Sequence, residues 1–397
     1  MFEKIKFALQ DPIIDLLEKF NLDQRKEKIN LGIGIYKNEF GKTPILESVK
    51  KAEKYLLENE VTKNYLNIIG IPNFCNLTQN LLLGKNNPII KENRARTSQT
   101  PGGTSALRII ADFLSSNSFI KRVWISNPTW PNHNTIFKNS GLEICQYNYY
   151  DSHNHNLNFE KMLNSLKYTK FGDVLLLHGC CHNPTGIDPT PEQWKILSLL
   201  AEKKKLLPIF DFAYQGFSTD LYQDTLSLRI FAKNNPEIIV LNSYSKNFSL
   251  YNERVGSYTI IAKNSVHAEN VLSQTKLIIR SNYSNPPSHG AAIVSTILSN
   301  KILKKEWIME LTSMRNRIKK MRRLLVKNLK ERSNSEHFDF IKKQNGMFSF
   351  TDLDKHNIER LRKEYGIYLI DSGRINIAAL TSKNIPFLCD SIISVTR

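Results

Sequence analysis

An α/β fold, with a mostly parallel sheet sandwiched by helices and joined to a smaller α+β domain, is predicted by two features of the chain. Between residues 100 and 262, short apolar runs bounded by turn residues alternate with helical patterns. After a long helical stretch the pattern changes to short strands and short helices. A chain of 397 residues exceeds the size at which one hydrophobic core usually stops growing, so two domains are expected.

The apolar runs fall at 122–126, 142–149, 173–178, 206–210, 237–241 and 258–262. Helical segments separate most of them, at 104–115, 159–167 and 191–205. Parallel strands need such crossovers, and a sheet of this kind takes its ligands at the carboxyl ends of its strands. Residues 304–332 predict a long helix. Beyond it, strands are expected at 338–342 and 347–351, a helix at 356–365, a strand at 367–370 and a last helix. The domains are accordingly a larger one over 44–313 and a smaller one from 1–43 with 314–397.

Composition narrows the function classes. Apolar residues make up 41% and charged residues 23%, without low-complexity stretches, so a packed, soluble protein is expected and not a disordered one. No apolar stretch is long enough to span a bilayer, and the start, with Glu3 and Asp11, lacks the apolar core of a targeting segment. Cys75, Cys145, Cys180, Cys181 and Cys389 are odd in number and irregularly spaced. They do not make a disulfide framework, and a reducing cytoplasm is expected.

The net charge of +18 raises the question of a polyanionic partner. Most of it is scattered. The dense run over 315–332 contains one acid, Glu331, while Met314, Ile318, Met321 and Leu325 recur at helical spacing. The run therefore reads as an amphipathic helix with a solvated basic face. No zinc-finger spacing or RNA-recognition signature accompanies it, so no nucleic-acid partner and no membrane partner is expected.

Three stretches resemble phosphate sites. Phe40-Gly41-Lys42-Thr43 fails as a P-loop because Tyr36 stands where the first glycine is required. Gly32 and Gly34 fail as a dinucleotide fingerprint because the third glycine is absent. Thr100-Pro101-Gly102-Gly103-Thr104-Ser105 places glycines and hydroxyls at a helix start, where free N–H groups attract an anion, although it is also a good plain cap. His178-Gly179-Cys180-Cys181-His182 lacks a second ligand group at metal spacing, so no metal is expected there and its residues are taken to line a site for another reason. Asn183-Pro184-Thr185-Gly186, Asp211-Phe212-Ala213-Tyr214 and Ser243-Tyr244-Ser245-Lys246 each follow a predicted strand, on one edge of the sheet. A carboxylate, a phenol, an amide and a lysine gathered there suit a cofactor with a basic ring nitrogen, a ring oxygen and an aldehyde.

With NPTG, DFAYQGF, SYSKNF running into YNERVG, NYSNPP, GMFSF and SGRIN in this order, the chain resembles the aspartate and aromatic aminotransferases of fold type I along essentially its whole length. The resemblance implies pyridoxal 5′-phosphate as cofactor and ping-pong transamination from L-aspartate to 2-oxoglutarate. An aromatic amino acid aminotransferase on the same scaffold is the alternative. It further implies that Lys246 holds the cofactor covalently and moves the proton, that Asp211 pairs with the ring nitrogen, and that Asn183 and Tyr214 bond the ring oxygen. Gly103, Thr104, Ser243, Ser245 and Arg254 would hold the phosphate, and Trp130 would stack on the ring. Arg374 would bind the substrate α-carboxylate, and Gly34 would let the backbone close over the ligand. Tyr65 and Arg280 would come from the partner subunit of a homodimer with shared sites, Arg280 to bind the distal carboxylate. The other implied partners are small amino acids and 2-oxo acids.

These residue types suit the chemistry. A carboxylate keeps a ring nitrogen protonated, so the ring can draw electrons from the bond broken at the α-carbon. A desolvated lysine near positive charge serves as nucleophile and then as base. Arginine captures a carboxylate with two parallel bonds. Three residues depart from the family pattern. Ser105 and Ser249 stand where glycine is usual, which matters little where φ is negative. Asp371 precedes Arg374 by three positions and could compete for its guanidinium, unless an extended backbone puts the two on opposite faces.

Overall fold

The seven-stranded sheet at the centre of the larger compact unit explains where every strand-end motif goes. The computed structural model describes residues 1–7, 11–116 and 120–396. In chain order the strands are β1 (Ala95–Pro101), β2 (Arg122–Asn127), β3 (Glu143–Asn148), β4 (Val174–His178), β5 (Leu207–Phe212), β6 (Ile238–Ser243) and β7 (Val255–Ile261). Their spatial order is β1-β7-β6-β5-β4-β2-β3. Only β7 runs antiparallel to its neighbours. All residues of β4, β6 and β7 are buried, as the near-continuous apolar runs require of strands covered on both faces. Residue alternation along β5 supplies both layers. Ile209 joins the cluster under helix Gly102–Ser115, with Ile109, Ile110 and Leu114. Phe210 faces the other way, with its ring edge to face against Phe231 at 5.0 Å and near Trp194 at 6.1 Å. Helix Pro191–Lys204 begins with a capping box between Thr190 and Gln193 and with Pro191 in its first turn, and it ends on left-handed Lys205.

β1 is missing from the expected strands because its sequence, ARTSQTP, has no apolar alternation. Its seven residues pair with β7 through the backbone ladder, and polar side chains bond around it. Thr97 and Thr259, directly opposite in register, share a 2.8 Å hydroxyl bond, and Gln99 bonds the Ile71 N–H and the Pro287 carbonyl.

One compact unit comprises Pro44–Asn183 with Ile187–Asn316, the other Met1–Thr43, Pro184–Gly186 and Arg317–Arg397. In the second unit Ile29–Asn30 pairs in parallel with Ile367–Tyr368, and Phe348–Phe350 pairs antiparallel with Arg374–Asn376. The strand expected at 338–342 is instead a 3-10 helix, His337–Lys343. Phe338 and Ile341, three apart, are the buried pair, and Asp339 bridges Lys342 at 2.8 Å, a spacing that a strand would place on opposite faces.

The long helix runs from Lys301 to Ser333 and buries Met314, Ile318, Met321 and Leu325 as its periodicity requires. Its basic side is less solvated than expected. Lys320, Arg323 and Lys327 are exposed, but Arg322 is buried, Arg315 donates to the Gly216 carbonyl, and Arg317 pairs with Glu39 at 3.2 Å. No helix among the described residues is long and apolar enough to cross a membrane.

Gly256 in β7 tests how closely sheet and helix approach. A Cβ there would lie 2.4 Å from the Gly102 carbonyl carbon and 2.7 Å from the Gly103 nitrogen, backbone atoms that cannot swing aside. Gly256→Ala is expected to destabilise the fold by about 1–3 kcal/mol in urea denaturation. An unchanged midpoint would show that this contact is not a constraint.

Candidate active site

Parallel β4, β5 and β6 all end at one edge of the sheet, where β1 also ends and antiparallel β7 begins. That edge carries Gly102 to Thr104 after β1, Trp130 after β2, and His178 to Asn183 at and after β4. It also carries Asp211 and Tyr214 around the end of β5, Ser243 to Lys246 after β6, and Arg254 before β7. Local sequence decides each exit. The polar residues begin where the apolar run stops, and Gly102, at φ +83°, turns the chain from strand into helix.

The first cluster is built for an anion. Helix Gly102–Ser115 starts with no side chain capping its N–H groups. Ser243 Oγ lies 3.2 Å from Ser245 Oγ and accepts the Ser245 N–H, while Arg254 Nη1 is 3.4 Å from Ser245 Oγ. A Cβ on Gly102 would sit 2.4 Å from Arg254 Nη2, and one on Gly103 would sit 3.0 Å from Ser243 Cβ, so only glycines leave the cradle open. Free helix N–H groups, two hydroxyls and a guanidinium match a phosphate.

The second cluster surrounds Asp211. Its Oδ2 lies 3.1 Å from His133 Nε2, and His133 Nδ1 lies 2.8 Å from Thr129 Oγ1. Burial pushes the Asp211 carboxyl upward, but the His133 hydrogen bond, with further electrostatic help from its neighbours, outweighs it and holds the carboxyl below its ordinary value. A largely buried carboxylate, 13% exposed, that stays ionised suits a protonated ring nitrogen. His178 stands against Asp211 in the β4–β5 register. Burial, then the neighbouring His133, lowers it to about 3, while burial with His178 and His133 drives His182 far down. Both rings are neutral at pH 7. His182 stacks on Tyr149 at 3.9 Å, and Asp188 clamps the loop by accepting the N–H groups of Cys181 and His182 at 2.8 and 2.9 Å. Ligand atoms of His133, His178 and Asp211 lie within 4.8 Å of one another, as do those of Cys180, Cys181 and Asp224. The Asp224 carboxylate already accepts the N–H groups of Gly216, Ser218 and Thr219.

Lys246 sits in a turn that is pinned on three sides. Tyr244 OH meets Thr78 Oγ1 at 2.7 Å, Trp307 donates to the Asn247 carbonyl at 2.8 Å, and Ser249 Oγ donates to the Pro44 carbonyl at 2.7 Å. Lys246 Nζ is 5.5 Å from the centre of the Tyr214 ring. Trp130 meets His133 edge to face at 5.3 Å, and Asn183 is buried. Ser105 lies within a helix, but Ser249 has φ +55°, so the condition under which its serine would matter little is not met. Its hydroxyl bond to Pro44 offsets the strain of a non-glycine residue there.

In the smaller unit Arg374 is 3% exposed and donates from Nη2 to the Gly32 carbonyl at 2.5 Å. Its guanidinium lies over the Phe348 ring at 4.1 Å. A Cβ on Gly34 would come within 2.8 Å of Phe348 Cζ, so that backbone needs glycine for close approach. Asp371 does not compete for Arg374. It occupies a turn closed by the Gly373 N–H to Ile370 carbonyl bond and pairs with Arg362 at 2.8 Å. Tyr65 is 93% exposed in the single chain, and Arg280, in the last turn of helix Ser265–Asn282, is exposed with its Nη1 bonded to Ser284 Oγ. Neither is gathered with the sheet-edge clusters by any described hydrogen bond.

Sequence reasoning missed His133, His178 as an Asp211 neighbour, and Asp188. The first stands three residues beyond Trp130, and only the fold reveals that its ring reaches Asp211. The neutral histidines carry a pH dependence. The folded value of about 3 for His178 lies below its ordinary 6.5, so the unfolded chain binds this proton first as pH falls. The stability contribution is therefore complete above pH 6.5 and is lost as pH falls from there toward 3, by up to about 1.4 kcal/mol per pH unit. Urea denaturation at pH 7.5 and pH 5 should show a smaller loss for His178→Asn than for the parent. Equal losses would contradict a neutral buried His178.

A sequence model of the family Aminotransferase class I and II matches residues 26–392. The aspartate aminotransferase of Escherichia coli (strain K12) is 56% identical over 395 residues, covering 100% of both chains. The aromatic-amino-acid aminotransferase of Pseudomonas aeruginosa is 41% identical over 394 residues, covering 99% of this chain and 98% of its own. Among solved structures, the aromatic-amino-acid aminotransferase from Burkholderia pseudomallei, covalently bound to pyridoxal phosphate, superposes with a TM-score of 0.97 at 43% identity over 100% of both chains. A sheet edge carrying an open helix start beside a guanidinium, an ionised and largely buried carboxylate and a pinned lysine is thus matched by full-length similarity, and the chain belongs to the class I and II aminotransferase family.

Proposed function

We propose that this chain transfers the amino group of L-aspartate to 2-oxoglutarate, giving oxaloacetate and L-glutamate, with pyridoxal 5′-phosphate as cofactor. One observation carries the reading: Lys246 shares a sheet edge with Asp211, held ionised by His133, and with the open Gly102–Gly103 helix start beside Ser243, Ser245 and Arg254. That donor set fits the cofactor at both ends, an anion cradle for its phosphate and a carboxylate for its ring nitrogen. High identity to an aspartate aminotransferase over the whole chain supports aspartate as the substrate, ahead of the aromatic alternative.

When bound, the cofactor supplies an electron-withdrawing ring. This chain supplies the rest. Gly103, Thr104, Ser243, Ser245 and Arg254 anchor the phosphate, with Tyr65 of a second copy. Asp211 keeps the ring nitrogen protonated, Asn183 and Tyr214 bond the ring oxygen, and Trp130 covers the ring face. Lys246 Nζ first holds the cofactor and then takes and returns the proton at the substrate α-carbon. Arg374 binds the α-carboxylate beside the Gly34 backbone, and Arg280 of the second copy binds the distal one. In this reading the larger domain, 44–313, binds the cofactor, and the smaller, 1–43 with 314–397, brings Arg374. Exposure of both Tyr65 and Arg280 in the single chain supports a homodimer with shared sites. Five free thiols, four of them buried, support a reducing cytoplasm as its location.

Lys246→Ala is expected to abolish turnover while the protein still folds and retains the cofactor without a covalent bond. Substantial residual turnover would overturn the role of Lys246. Arg280→Ala should lower kcat/KM for aspartate by on the order of 10²-fold, with far less effect on tyrosine or phenylalanine. Mixing the two variants, both nearly inactive toward aspartate, tests the shared site directly. One site of each hybrid dimer would then have both Lys246 and Arg280, and aspartate activity should return. Tagged hybrids that stay inactive would place Arg280 outside the partner's site.

A further inference from the structure

Arg322 is a cation of the long helix Lys301–Ser333, yet it is only 3% exposed. Its Nη2 donates to the Gly346 carbonyl at 2.6 Å and to the Phe348 carbonyl at 3.2 Å, and its Nε donates to Ser349 Oγ at 3.3 Å. All three acceptors belong to the chain entering and forming the strand Phe348–Phe350. A planar guanidinium can reach two carbonyls and a hydroxyl at once, which a lysine ammonium cannot do in the same geometry.

Phe348 is the next link. Its ring supports the Arg374 guanidinium at 4.1 Å and abuts Gly34, where a Cβ would intrude to 2.8 Å. Arg374 Nη2 also donates to the Gly32 carbonyl at 2.5 Å. The ring thus touches both the arginine and Gly34, and its place depends on where the Phe348 backbone lies. A desolvated cation is costly to bury unless its donors are used. The Nη2 and Nε donors of Arg322 are used on this segment.

We propose that Arg322 is a positioning residue for recognition of the substrate α-carboxylate: it fixes the strand that carries Phe348, and Phe348 holds the Arg374 guanidinium in its binding orientation. The inference rests on the transaminase reading of Arg374. Because every amino acid and 2-oxo acid substrate carries an α-carboxylate, the effect of losing Arg322 is common to all of them, unlike the effect of losing Arg280.

Steady-state rates on the cofactor-loaded enzyme test this with aspartate, tyrosine and 2-oxoglutarate. Arg322→Met is expected to raise KM for all three by roughly tenfold, since small displacements of a positioning group carry penalties of that size, while kcat changes by less than about threefold. Arg322→Lys, which keeps the charge and part of the bonding, should recover a share of the loss. Phe348→Leu should raise the same three KM values, and the double variant should be clearly less than additive because both changes act through one ring. Phe348→Leu and Arg322→Lys keep the test open if Arg322→Met fails to fold. Unchanged KM values with only a lower melting temperature, a KM rise confined to the dicarboxylates, or full additivity would each overturn the inference alone. Absence of aspartate turnover in the parent enzyme would instead overturn the transaminase reading, and this inference with it.

Discussion

The bond between His133 Nε2 and the Asp211 carboxylate is the constraint around which the larger unit is arranged. A sheet whose inner strands are buried on both faces has no room for an unpaired charge, since desolvation alone would drive the carboxyl to its neutral form. Asp211 escapes that outcome by standing near the end of β5, beside a histidine whose other nitrogen is fixed by Thr129. His178 and His182 remain neutral in the same neighbourhood, because burial drives both below their ordinary value.

Close approach is the second condition. The open helix start exists because β7 and the start of helix Gly102–Ser115 come together where neither has a side chain, Gly256 against Gly102 and Gly103, while Gly102 leaves room for the Arg254 guanidinium. The smaller unit uses the same device independently at Gly34 and Phe348. In both places glycine is required by the volume a Cβ would occupy, and at Gly102 by a positive φ as well.

Charge is deployed on this chain in two ways. The excess of basic residues over acidic ones is partly ordinary solvated surface, as at Lys320 and Lys327, and partly internal scaffolding, as at Arg315, Arg317 and Arg322, whose guanidiniums bond to backbone carbonyls. The positive charge of the long helix therefore does not by itself point to a polyanionic partner. Its inward arginines brace the structure from within.

The alternation of apolar runs and helical patterns was enough to determine the parallel sheet, because buried strands and amphipathic helices differ in period, and the order of the strand-end motifs was enough to determine the chemistry gathered at one edge. β1 carries no such signal because its side chains, Thr97, Ser98, Gln99 and Thr100 among them, are polar, while the pairing itself is made by the backbone ladder with β7. The segment 338–342, expected as a strand, forms the 3-10 helix His337–Lys343, whose buried pair, Phe338 and Ile341, is spaced by three. Only the tertiary structure decided which side chains meet: that His133 reaches Asp211, that Asp371 turns to Arg362 and leaves Arg374 alone, and that Ser249 adopts a positive φ and ties itself to Pro44. Local sequence sets backbone preference and burial periodicity within a few residues, whereas those contacts join residues brought together by the packing of distant segments, or depend on a turn that packing alone selects.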